Sequence, residues 1–590
     1  MKPHGKGRWD SLYFDYPVFT APPRAGLATS APVTIVGAGP IGMIAALTLA
    51  HHGQPSVIVD DKHTFNDGSR AICVARSSLV AMQMLGIEAP FLGKALAWHS
   101  GRSFFRGKQI LEFFMGDSDE ERHRPMYNLE QQYIEKFLHD AVAASPLIDM
   151  RWQTACTGVA DLPEGAGDGA GNGAGVMLTL NDPDGPYEMR TDWLLAADGA
   201  RSPIRAMKGL RLKGQNFEGR YVIADIKMTN PVPVERFALF DPDARPGSTV
   251  LVHQQPDDIW RIDYQLRDDE DEDEALREAN IRAAVQRVLD ECGYSAPWEL
   301  EWWSVYSANT LLLDSYRHGR TIFIGDSAHI VPIFGVRGFN NGVLDGVNIG
   351  WKLAWHLAGK ADEALLDSYD HERRRATLDV IEKSGKSAQF MTPRTRGFTI
   401  MRDAALSLAL DFPFASQFAN PRNMTPYEYR DSPLTLAGAN ANANASANAN
   451  ASANANASAG ANAGDQADSW DGATGAAHPG AAAPDARMET GFLMDLFGPG
   501  FTLLVFGTSR ALTEPDAGKA IEADDQITMI HLAADSGAAR VYGAADGDAV
   551  LIRPDRFIAA RWHDAKAAEI IAAVDRICAG GRLEDNRSMA

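Results

Sequence analysis

Near its amino end the chain reads Val33-Thr34-Ile35-Val36-Gly37-Ala38-Gly39-Pro40-Ile41-Gly42. An apolar strand pattern runs here into the spacing G-x-G-x-x-G, and residues 41–50 have the pattern of a helix. In a Rossmann-type unit the first glycine forms the tight turn, the second admits a pyrophosphate and the third allows close helix packing. The stretch therefore predicts a dinucleotide site at Gly37, Gly39, Pro40 and Gly42, with the phosphate at the helix amino end.

A carboxylate and a second glycine-containing segment extend this prediction. The strand pattern of residues 56–59 ends in Asp60, where a carboxylate can accept hydrogen bonds from the ribose hydroxyls of an adenosine. Far downstream the chain reads Thr321-Ile322-Phe323-Ile324-Gly325-Asp326. The first segment alone leaves NAD and FAD open as ligands. Together with Gly325 and Asp326, it predicts one bound flavin dinucleotide.

Length, charge and cysteine content narrow the class of protein. A chain of 590 residues predicts two or three domains. The formal net charge is −21 and no basic stripe is present, so nucleic-acid partners are not expected. The four cysteines are scattered without CxxC or metal-ligand spacing, which indicates a reduced, cytoplasmic protein without a metal site. No apolar run approaches the roughly eighteen residues of a membrane span, and residues 1–30 lack the apolar core of a signal peptide.

The order of patterns along the chain predicts an α/β body with an added sheet. Strand candidates include residues 175–180, 221–228 and 248–266, and an acidic run leads into a helical pattern at 275–289. A glycine-rich stretch, 164–173, is predicted to be a mobile hairpin loop. The predicted divisions are an amino-terminal extension (1–30), interleaved FAD-binding and substrate domains (31–395, the substrate sheet mainly at about 95–125 and 210–310), a helical or irregular connection (396–435), a linker (436–480) and a terminal domain (481–590).

The linker is an Ala/Asn/Ser tract with a six-residue repeat, and it has almost no bulky apolar side chains. Such a composition predicts disorder, with an aggregating or interaction segment as the alternative. After it come strand patterns at 498–507, 539–542 and 557–562, and a helix predicted to begin at the N-cap Asp564 and end at Cys578. This order resembles a thioredoxin-like domain. Its single cysteine, Cys578, argues against dithiol redox chemistry.

A third motif lies between the first two, where a hydrophobic strand ends in Leu194-Leu195-Ala196-Ala197-Asp198-Gly199 and Ser202 and Arg205 follow. With this motif the chain resembles the FAD-dependent aromatic hydroxylases, the flavoprotein monooxygenases related to para-hydroxybenzoate hydroxylase and phenol hydroxylase. That family has GxGxxG, a DG motif and a GD motif with a glycine-rich helix start, in this order. The resemblance implies a Rossmann-like FAD-binding domain interleaved with a mixed β-sheet substrate domain.

The resemblance also implies roles for further residues. The family's aspartate at the position of Asp326 bonds a ribityl hydroxyl of FAD, and the segment matching 335–340 lies against the isoalloxazine. Arg70 matches an arginine near the pyrophosphate, and Gln131 matches the glutamine of a Q-x-x-x-E segment that contacts the flavin region. For these two residues a structural salt bridge or a plain surface helix is the alternative. The cofactor residues implied in this way are Arg70, Gln131, Asp198, Gly325, Asp326, Gly338, Phe339 and Asn340.

The chemistry implied by the resemblance is hydroxylation of a phenol. NADH or NADPH reduces FAD, O2 forms a flavin C4a-hydroperoxide, and its distal oxygen attacks an electron-rich ring. The run 553–562 resembles the carboxy-terminal signature of the larger family members, which append a thioredoxin-like domain. The chain is most similar to the 3-(3-hydroxyphenyl)propionate hydroxylase branch, and the family favours a homodimer. Alternatives are an epoxidase, a Baeyer–Villiger enzyme, or a non-enzymatic flavin-binding scaffold. A flavin halogenase is disfavoured because its WxWxIP-type motif is missing.

The residue that would activate the phenol is not fixed by the sequence. Candidates in the strand-rich stretch are His253, Trp260 and Tyr264, and His329 lies in the GD loop. Pro332 of the same loop is a further predicted catalytic-site residue. That loop departs from many relatives, which have two consecutive prolines where this chain has Pro332-Ile333, and Gln or Lys where it has Arg337. Because the loop would lie between flavin and substrate, these differences leave the substrate open.

Overall fold

The computed structural model describes residues 4–5, 11–66, 70–163, 174–267, 269–332, 335–393, 395–419, 426–436, 477–508, 521 and 525–581. The glycine-rich stretch 164–173, Ile333 and nearly all of the Ala/Asn/Ser tract lie outside this range. Within it, the strands form four sheets, and the element order mixes strands and helices as an α/β protein does.

The strands, in chain order, are β1 (His4–Gly5), β2 (Ser30–Val36), β3 (Ser56–Val59), β4 (Cys73–Ala75), β5 (Leu96–Trp98), β6 (Ser100–Phe105), β7 (Lys108–Phe114), β8 (Met126–Asn128), β9 (Ile148–Arg151), β10 (Ala155–Leu162), β11 (Gly175–Asp182), β12 (Gly185–Ala196), β13 (Lys213–Lys227), β14 (Arg236–Phe240), β15 (Thr249–Gln254), β16 (Ile259–Leu266), β17 (Glu299–Leu312), β18 (Arg317–His318), β19 (Thr321–Phe323), β20 (His329–Ile330), β21 (Phe501–Phe506), β22 (Ile527–Leu532), β23 (Asp548–Ile552) and β24 (Ile558–His563).

The α-helices, in chain order, are α1 (Pro40–His51), α2 (Arg76–Met84), α3 (Glu88–Lys94), α4 (Gln131–Ala144), α5 (Pro203–Met207), α6 (Glu272–Ala275), α7 (Glu278–Glu291), α8 (Gly338–Leu357), α9 (Asp367–Met391), α10 (Arg396–Asp411), α11 (Gly537–Tyr542) and α12 (Ala567–Cys578). Short 3₁₀ helices occur at Gly325–Ser327, Glu363–Leu366, Pro413–Ala419 and Leu493–Leu496.

The first sheet has the order β10-β11-β12-β2-β3-β9, and β19 pairs with the end of β12. Its central strands are parallel: Ala196 lies opposite both Val36 and Phe323, and Val36 lies opposite Val59. The strands β2, β3, β12 and β19 therefore end together along one edge. Nearly continuous burial of these strands is typical of a parallel sheet that is covered on both faces.

The second sheet is mostly antiparallel, with the order β1-β17-β13-β16-β15-β14-β6-β7 and β20 paired to β17. Successive side chains of a strand point to opposite faces. On β16 the apolar residues Trp260, Ile262 and Tyr264 share one buried core with residues of α7. Arg261 and Asp263 alternate with them and lie on the other face.

Helices α1 and α8 pack closely against each other. Gly342 and Gly350 of α8 face α1, and a Cβ atom there would lie 2.7 Å from Cδ1 of Ile41 and 2.6 Å from Cβ of Thr48. With Gly346 between them, these glycines recur at a four-residue spacing and let the two helix backbones approach. This contact places the start of α8 beside the start of α1.

The terminal sheet has the order β22-β21-β23-β24, in which β23 runs antiparallel to both neighbours. The strand predicted at 539–542 is wrong, since these residues belong to α11. Ser536 caps that helix by accepting from the backbone N–H of Ala539 at 3.1 Å, and Gly543, with φ +54°, ends it. A short apolar run does not by itself distinguish strand from helix.

The predicted start of the last helix also needs correction. Asp564 has φ +51° and precedes the helix, and α12 begins after Lys566. The N-cap position belongs to Lys566, whose backbone N–H donates to Oε2 of Glu569 at 3.0 Å.

A buried group of charges joins the terminal sheet to the first part of the protein. Glu372 of α9 binds Nζ of Lys352 at 2.7 Å and both terminal guanidinium nitrogens of Arg553 at 2.5 and 3.0 Å, and Arg553 also binds Asp555 at 2.6 Å. Burial alone would raise the pKa of Glu372, but Arg553 and Lys352 hold that pKa well below its ordinary value. Phe501 packs edge-on against two tryptophans of α8 beside this group.

Replacing Glu372 by glutamine should destabilise the protein strongly, because Lys352 and Arg553 would remain buried without their anion. Removing one partner of a buried ion pair costs about 3–5 kcal/mol. Urea unfolding of the wild type and Glu372→Gln measures the difference. Glu382→Gln is the matched control on the same helix, where Glu382 forms an exposed pair with Lys386. Equal stability of the two variants would contradict a stabilising role for this buried group.

Candidate active site

A cavity of about 950 Å³ is lined by residues from both large sheets. Gly37, Asp60 and Gly325 come from the edge where the parallel strands of the first sheet end. His253 and Ile223 come from the second sheet. The fold thus brings distant segments of the chain around one space.

Nearly all the residues predicted for the cofactor site line this cavity: Gly37, Gly39, Pro40, Asp60, Arg70, Gln131, Asp198, Gly325, Asp326, Gly338, Phe339 and Asn340. Gly42 does not line it. A Cβ atom on Gly42 would collide with the carbonyl oxygen of Gly37 and approach Ala197, so this glycine serves the packing of α1.

The first two glycines of the fingerprint meet different constraints. Gly37 has φ +113°, and a Cβ atom there would collide with the carbonyl of Ala197, so the turn itself requires glycine. Gly39 has φ −72°, which any residue adopts, and a Cβ atom there would meet nothing within 4 Å. Packing within the protein does not require glycine at this position. The open space fits a group that approaches the backbone at the start of α1, as a pyrophosphate does.

Asp60 is held in place at the end of β3. Its Oδ2 accepts from the backbone N–H of Ala38 at 2.7 Å, and its Oδ1 accepts from the backbone N–H of Lys62 at 2.9 Å. Two carboxylate oxygens have about four acceptor positions, so capacity is left for ribose hydroxyls.

Asp198 and Asp326 present acidic groups to the same cavity. Oδ2 of Asp198 accepts from the backbone N–H of Ile204 at 3.0 Å, while its buried Oδ1 has no hydrogen-bond partner among the described residues. Burial raises the pKa of Asp198. Asp326 is accessible to solvent within the cavity, and the surrounding protein raises its pKa, although His329 and Arg70 oppose this effect. A ligand rich in hydroxyl groups, such as the ribityl chain of FAD, fits these acceptors.

The segment that carries Asp326 is positioned by a residue that the sequence analysis missed. Asp345 of α8 accepts from the backbone N–H of Gly325 at 3.0 Å, from Nε2 of His329 at 2.6 Å and from Nε of Arg373 at 2.7 Å. Burial would raise the pKa of Asp345, but His329 and Arg373 keep it below its ordinary value. A lone aspartate within the apolar pattern of α8 was the available signal.

Gln131 and Asn340 use their side chains within the protein. Gln131 accepts from the backbone N–H of Ala71 at 3.2 Å and donates to Glu135 at 2.7 Å, which secures the segment after Arg70. Asn340 accepts from the backbone N–H of Ala75 at 2.8 Å and donates to the carbonyl of Val336 at 2.7 Å. Both residues line the cavity, and these bonds give them a role in shaping its wall.

The cavity wall from the second sheet carries buried charged groups that the sequence analysis did not single out: Arg236, Arg261 and Asp263 line the cavity, and Asp225 lies behind them. Arg261 donates to both oxygens of Asp225, at 2.9 and 3.1 Å. Burial raises the pKa of Asp263 to about 7, against the opposing effect of Arg261. The alternation of Arg261 and Asp263 with Trp260, Ile262 and Tyr264 was the signal that predicts a polar face.

Among the catalytic candidates, His253 and Pro332 line the cavity and Tyr264 does not. Tyr264 is buried on the opposite face of its strand, where the guanidinium of Arg245 lies 4.7 Å from its ring. The period of two along β16 separates Tyr264 from the cavity face. Burial, followed by the charges of Arg236 and Arg261, lowers the pKa of His253 well below its ordinary value, so the ring is neutral.

The backbone just before α8 is unusual. Val336 has φ +62°, a conformation that a β-branched residue rarely adopts, and it lines the cavity next to the buried Arg337. Strained backbone of this kind clusters at functional sites. In the described part of the chain, no helix is long and apolar enough to cross a membrane, and no group of His, Cys, Asp or Glu has the arrangement of a metal site.

Two protein families match consecutive parts of the chain. The FAD binding domain matches residues 30–384, and the aromatic-ring hydroxylase C-terminal domain matches residues 476–580. A 3-(3-hydroxy-phenyl)propionate/3-hydroxycinnamic acid hydroxylase of Klebsiella pneumoniae is 29% identical over 413 residues, which cover 70% of this chain and 71% of the relative. A protein of the same name from Mycobacterium sp. (strain JLS) is 27% identical over 402 residues, covering 68% of this chain and 67% of the relative.

Two solved structures share the fold over almost their whole length. The flavin-dependent monooxygenase PieE, in complex with FAD and substrate, matches with a TM-score of 0.73 and 21% identity, covering 93% of this chain and 99% of PieE. Aklavinone-11 hydroxylase, in a ternary complex with FAD and aklavinone, matches with a TM-score of 0.70 and 22% identity, covering 93% and 98%.

Replacing Gly39 by alanine should weaken flavin binding without harming the fold, because the added methyl group would enter the cavity. We expect a loss of affinity on the order of tenfold, equivalent to about 1.4 kcal/mol. Gly42→Ala is the contrasting variant, since its methyl group would collide with backbone and lower the stability of the flavin-free protein. Flavin titration and thermal unfolding of the flavin-free proteins separate the two effects. Unchanged flavin affinity in Gly39→Ala would contradict the placement of the ligand.

Proposed function

Because the chain belongs to the FAD binding domain family and is an FAD-dependent aromatic-ring monooxygenase, we propose that it hydroxylates a small phenolic substrate with NADH or NADPH and O2 as co-substrates. One observation carries this proposal: the cavity joins the cofactor elements of the first sheet to a wall of buried charged groups on the second sheet. A ring with an ionisable hydroxyl group suits such a wall.

The curated relatives support a hydroxylated aromatic substrate. Those described above carry the name 3-(3-hydroxy-phenyl)propionate/3-hydroxycinnamic acid hydroxylase, and the substrates in that name are phenols with an acidic side chain. The resemblance drawn from the three glycine-containing motifs is confirmed by the family match, and so is FAD as the cofactor. The particular phenol is part of the proposal.

The geometry of the cavity supports an assignment of the residues that would hold FAD. The amino end of α1 with Gly39 would receive the pyrophosphate, Asp60 the adenosine ribose, and Asp198 and Asp326 the hydroxyl groups between the phosphates and the ring. When bound, FAD supplies the redox chemistry, namely the acceptance of a hydride and the activation of O2. Gly338 at the start of α8 would direct backbone amides towards the ring.

The protein must also keep water away from the reaction. The cavity lining includes the apolar side chains of Ile223, Leu251, Val305 and Val331, which lie among the charged groups. An apolar wall of this kind excludes water and strengthens the electrostatic effect of neighbouring arginines. We assign His253 and Pro332 to the substrate side of the cavity, since both line it.

We further propose that the terminal domain is thioredoxin-like. Its strand order β22-β21-β23-β24, with β23 antiparallel to its neighbours, supports this assignment. The domain has a single cysteine, so we assign it a structural role, anchored on α9 through the ion pair of Arg553 with Glu372. A cytoplasmic location is supported by the cysteines, none of which forms a disulfide in the described part of the chain. A homodimer remains an expectation from the resemblance.

A screen of phenolic acids, resorcinols and polycyclic phenols tests the function. The purified protein should be yellow, and a true substrate should stimulate NAD(P)H oxidation and O2 uptake and give a product heavier by one oxygen atom. The matched control for each active compound is its O-methyl ether, which has no ionisable hydroxyl group and should give no product. A protein that does not take up FAD, or that inserts oxygen into ketones or alkenes only, would refute the proposal.

A further inference from the structure

Asp263 and His253 form a pair of buried groups on the cavity wall with unused hydrogen-bonding atoms. Nε2 of His253 lies 3.9 Å from Oδ2 of Asp263. Among the described residues, Nδ1 of His253 and Oδ1 of Asp263 have no hydrogen-bond partner. Burying a polar atom without a hydrogen-bond partner is unfavourable. Two such atoms on one cavity wall indicate that a ligand completes their bonds.

The charges around this pair favour a substrate oxygen that becomes negative. Arg261 and Asp225 face Asp263 from β16 and β13; they bind each other at 2.9 Å, and Nε of Arg261 also lies 3.9 Å from Oδ1 of Asp263. Arg236 of β14 adds a further positive charge on the same wall. The remaining titratable groups that face Asp263 are His253, Cys73 and Tyr221, and burial raises the pKa of both Cys73 and Tyr221, so they are uncharged.

We propose that Asp263 accepts the proton of the substrate hydroxyl group, and that His253 is its partner in binding that hydroxyl. The inference rests on the proposed function. In this step the O–H bond of the phenol breaks and an O–H bond forms on the carboxylate, so a phenol and a carboxylate become a phenolate and a carboxylic acid. The guanidinium groups of Arg236 and Arg261 stabilise the phenolate.

The environment of Asp263 suits a base that works near neutral pH. Burial raises the pKa of this carboxyl to about 7, so it ionises as the pH rises through that value. A general base is most effective when its pKa lies near the working pH. The rate of hydroxylation should therefore rise with pH through about 7, because only the ionised carboxylate accepts the proton. His253 is neutral in this range and retains one donor and one acceptor nitrogen for the hydroxyl.

The alternative role for Asp263 is that of a counter-charge that only balances the neighbouring arginines. The pH profile distinguishes the two roles. Asp263→Asn should lower the rate of product formation at pH 7 by about 10²-fold, the usual contribution of a general base. Its activity should return as the pH approaches the pKa of the free phenol, roughly 10, where the substrate ionises unaided. A pure counter-charge predicts no such recovery.

The test uses the flavin-loaded enzyme and a phenol that the screen identifies as a substrate. Tyr264→Phe is the matched control on the same strand, because Tyr264 faces away from the cavity and the variant should keep the wild-type rate and pH profile. Asp263→Glu retains a carboxyl group and should keep the rise of the rate with pH. If Asp263→Asn does not fold, the pH profile of Asp263→Glu provides the test.

The outcomes distinguish failure of the inference about Asp263 from failure of the proposed hydroxylase function. Loss at pH 7 with recovery at high pH in Asp263→Asn supports the inference. Wild-type activity in that variant, loss without recovery, or an Asp263→Glu enzyme without the rise near pH 7 would overturn it while hydroxylation by the wild type stands. If the wild-type enzyme hydroxylates no phenol in the screen, the proposed function fails, and the inference fails with it.

Discussion

The parallel register of β2, β3, β12 and β19 is the constraint on which the site depends. Because these strands end at one edge, the residues that follow them are neighbours: Gly37, Asp60, Asp198 and Gly325. A shift of one strand by a single residue would exchange its two buried faces, disrupt their packing and displace the turn at its end. Asp345 then secures the last of these turns by binding the backbone N–H of Gly325.

Much of this edge could be predicted from the sequence, because each part of it is local. A strand, a glycine turn and a helix occur within residues 30–51, and the helix and strands appear where the pattern predicts them. The error at 539–542 has a local cause as well. The few apolar residues of this segment fit the period of a strand as well as that of a helix. The side-chain cap at Ser536 favours the helix.

The remaining parts could not be predicted, because they depend on contacts between distant residues. Glu372 and Arg553 are 181 positions apart, and nothing in the composition near either residue indicates that both are buried. The face of β16 that lines the cavity is likewise set by the packing of α7 on the other face. The alternation of Arg261 and Asp263 with apolar residues indicated two faces, but only the fold shows which face meets the cofactor elements.

The two faces of β16 have different roles, since one lines the cavity and the other lies in the hydrophobic core. Substitutions at Arg261 and Asp263 alter the cavity wall and leave the hydrophobic core behind the sheet intact. Changes at the even-numbered positions act on folding and not on chemistry. Point substitutions at Arg261 or Asp263 thus change the cavity wall alone, whereas an insertion or deletion of one residue in this strand would exchange the two faces and lose both properties at once.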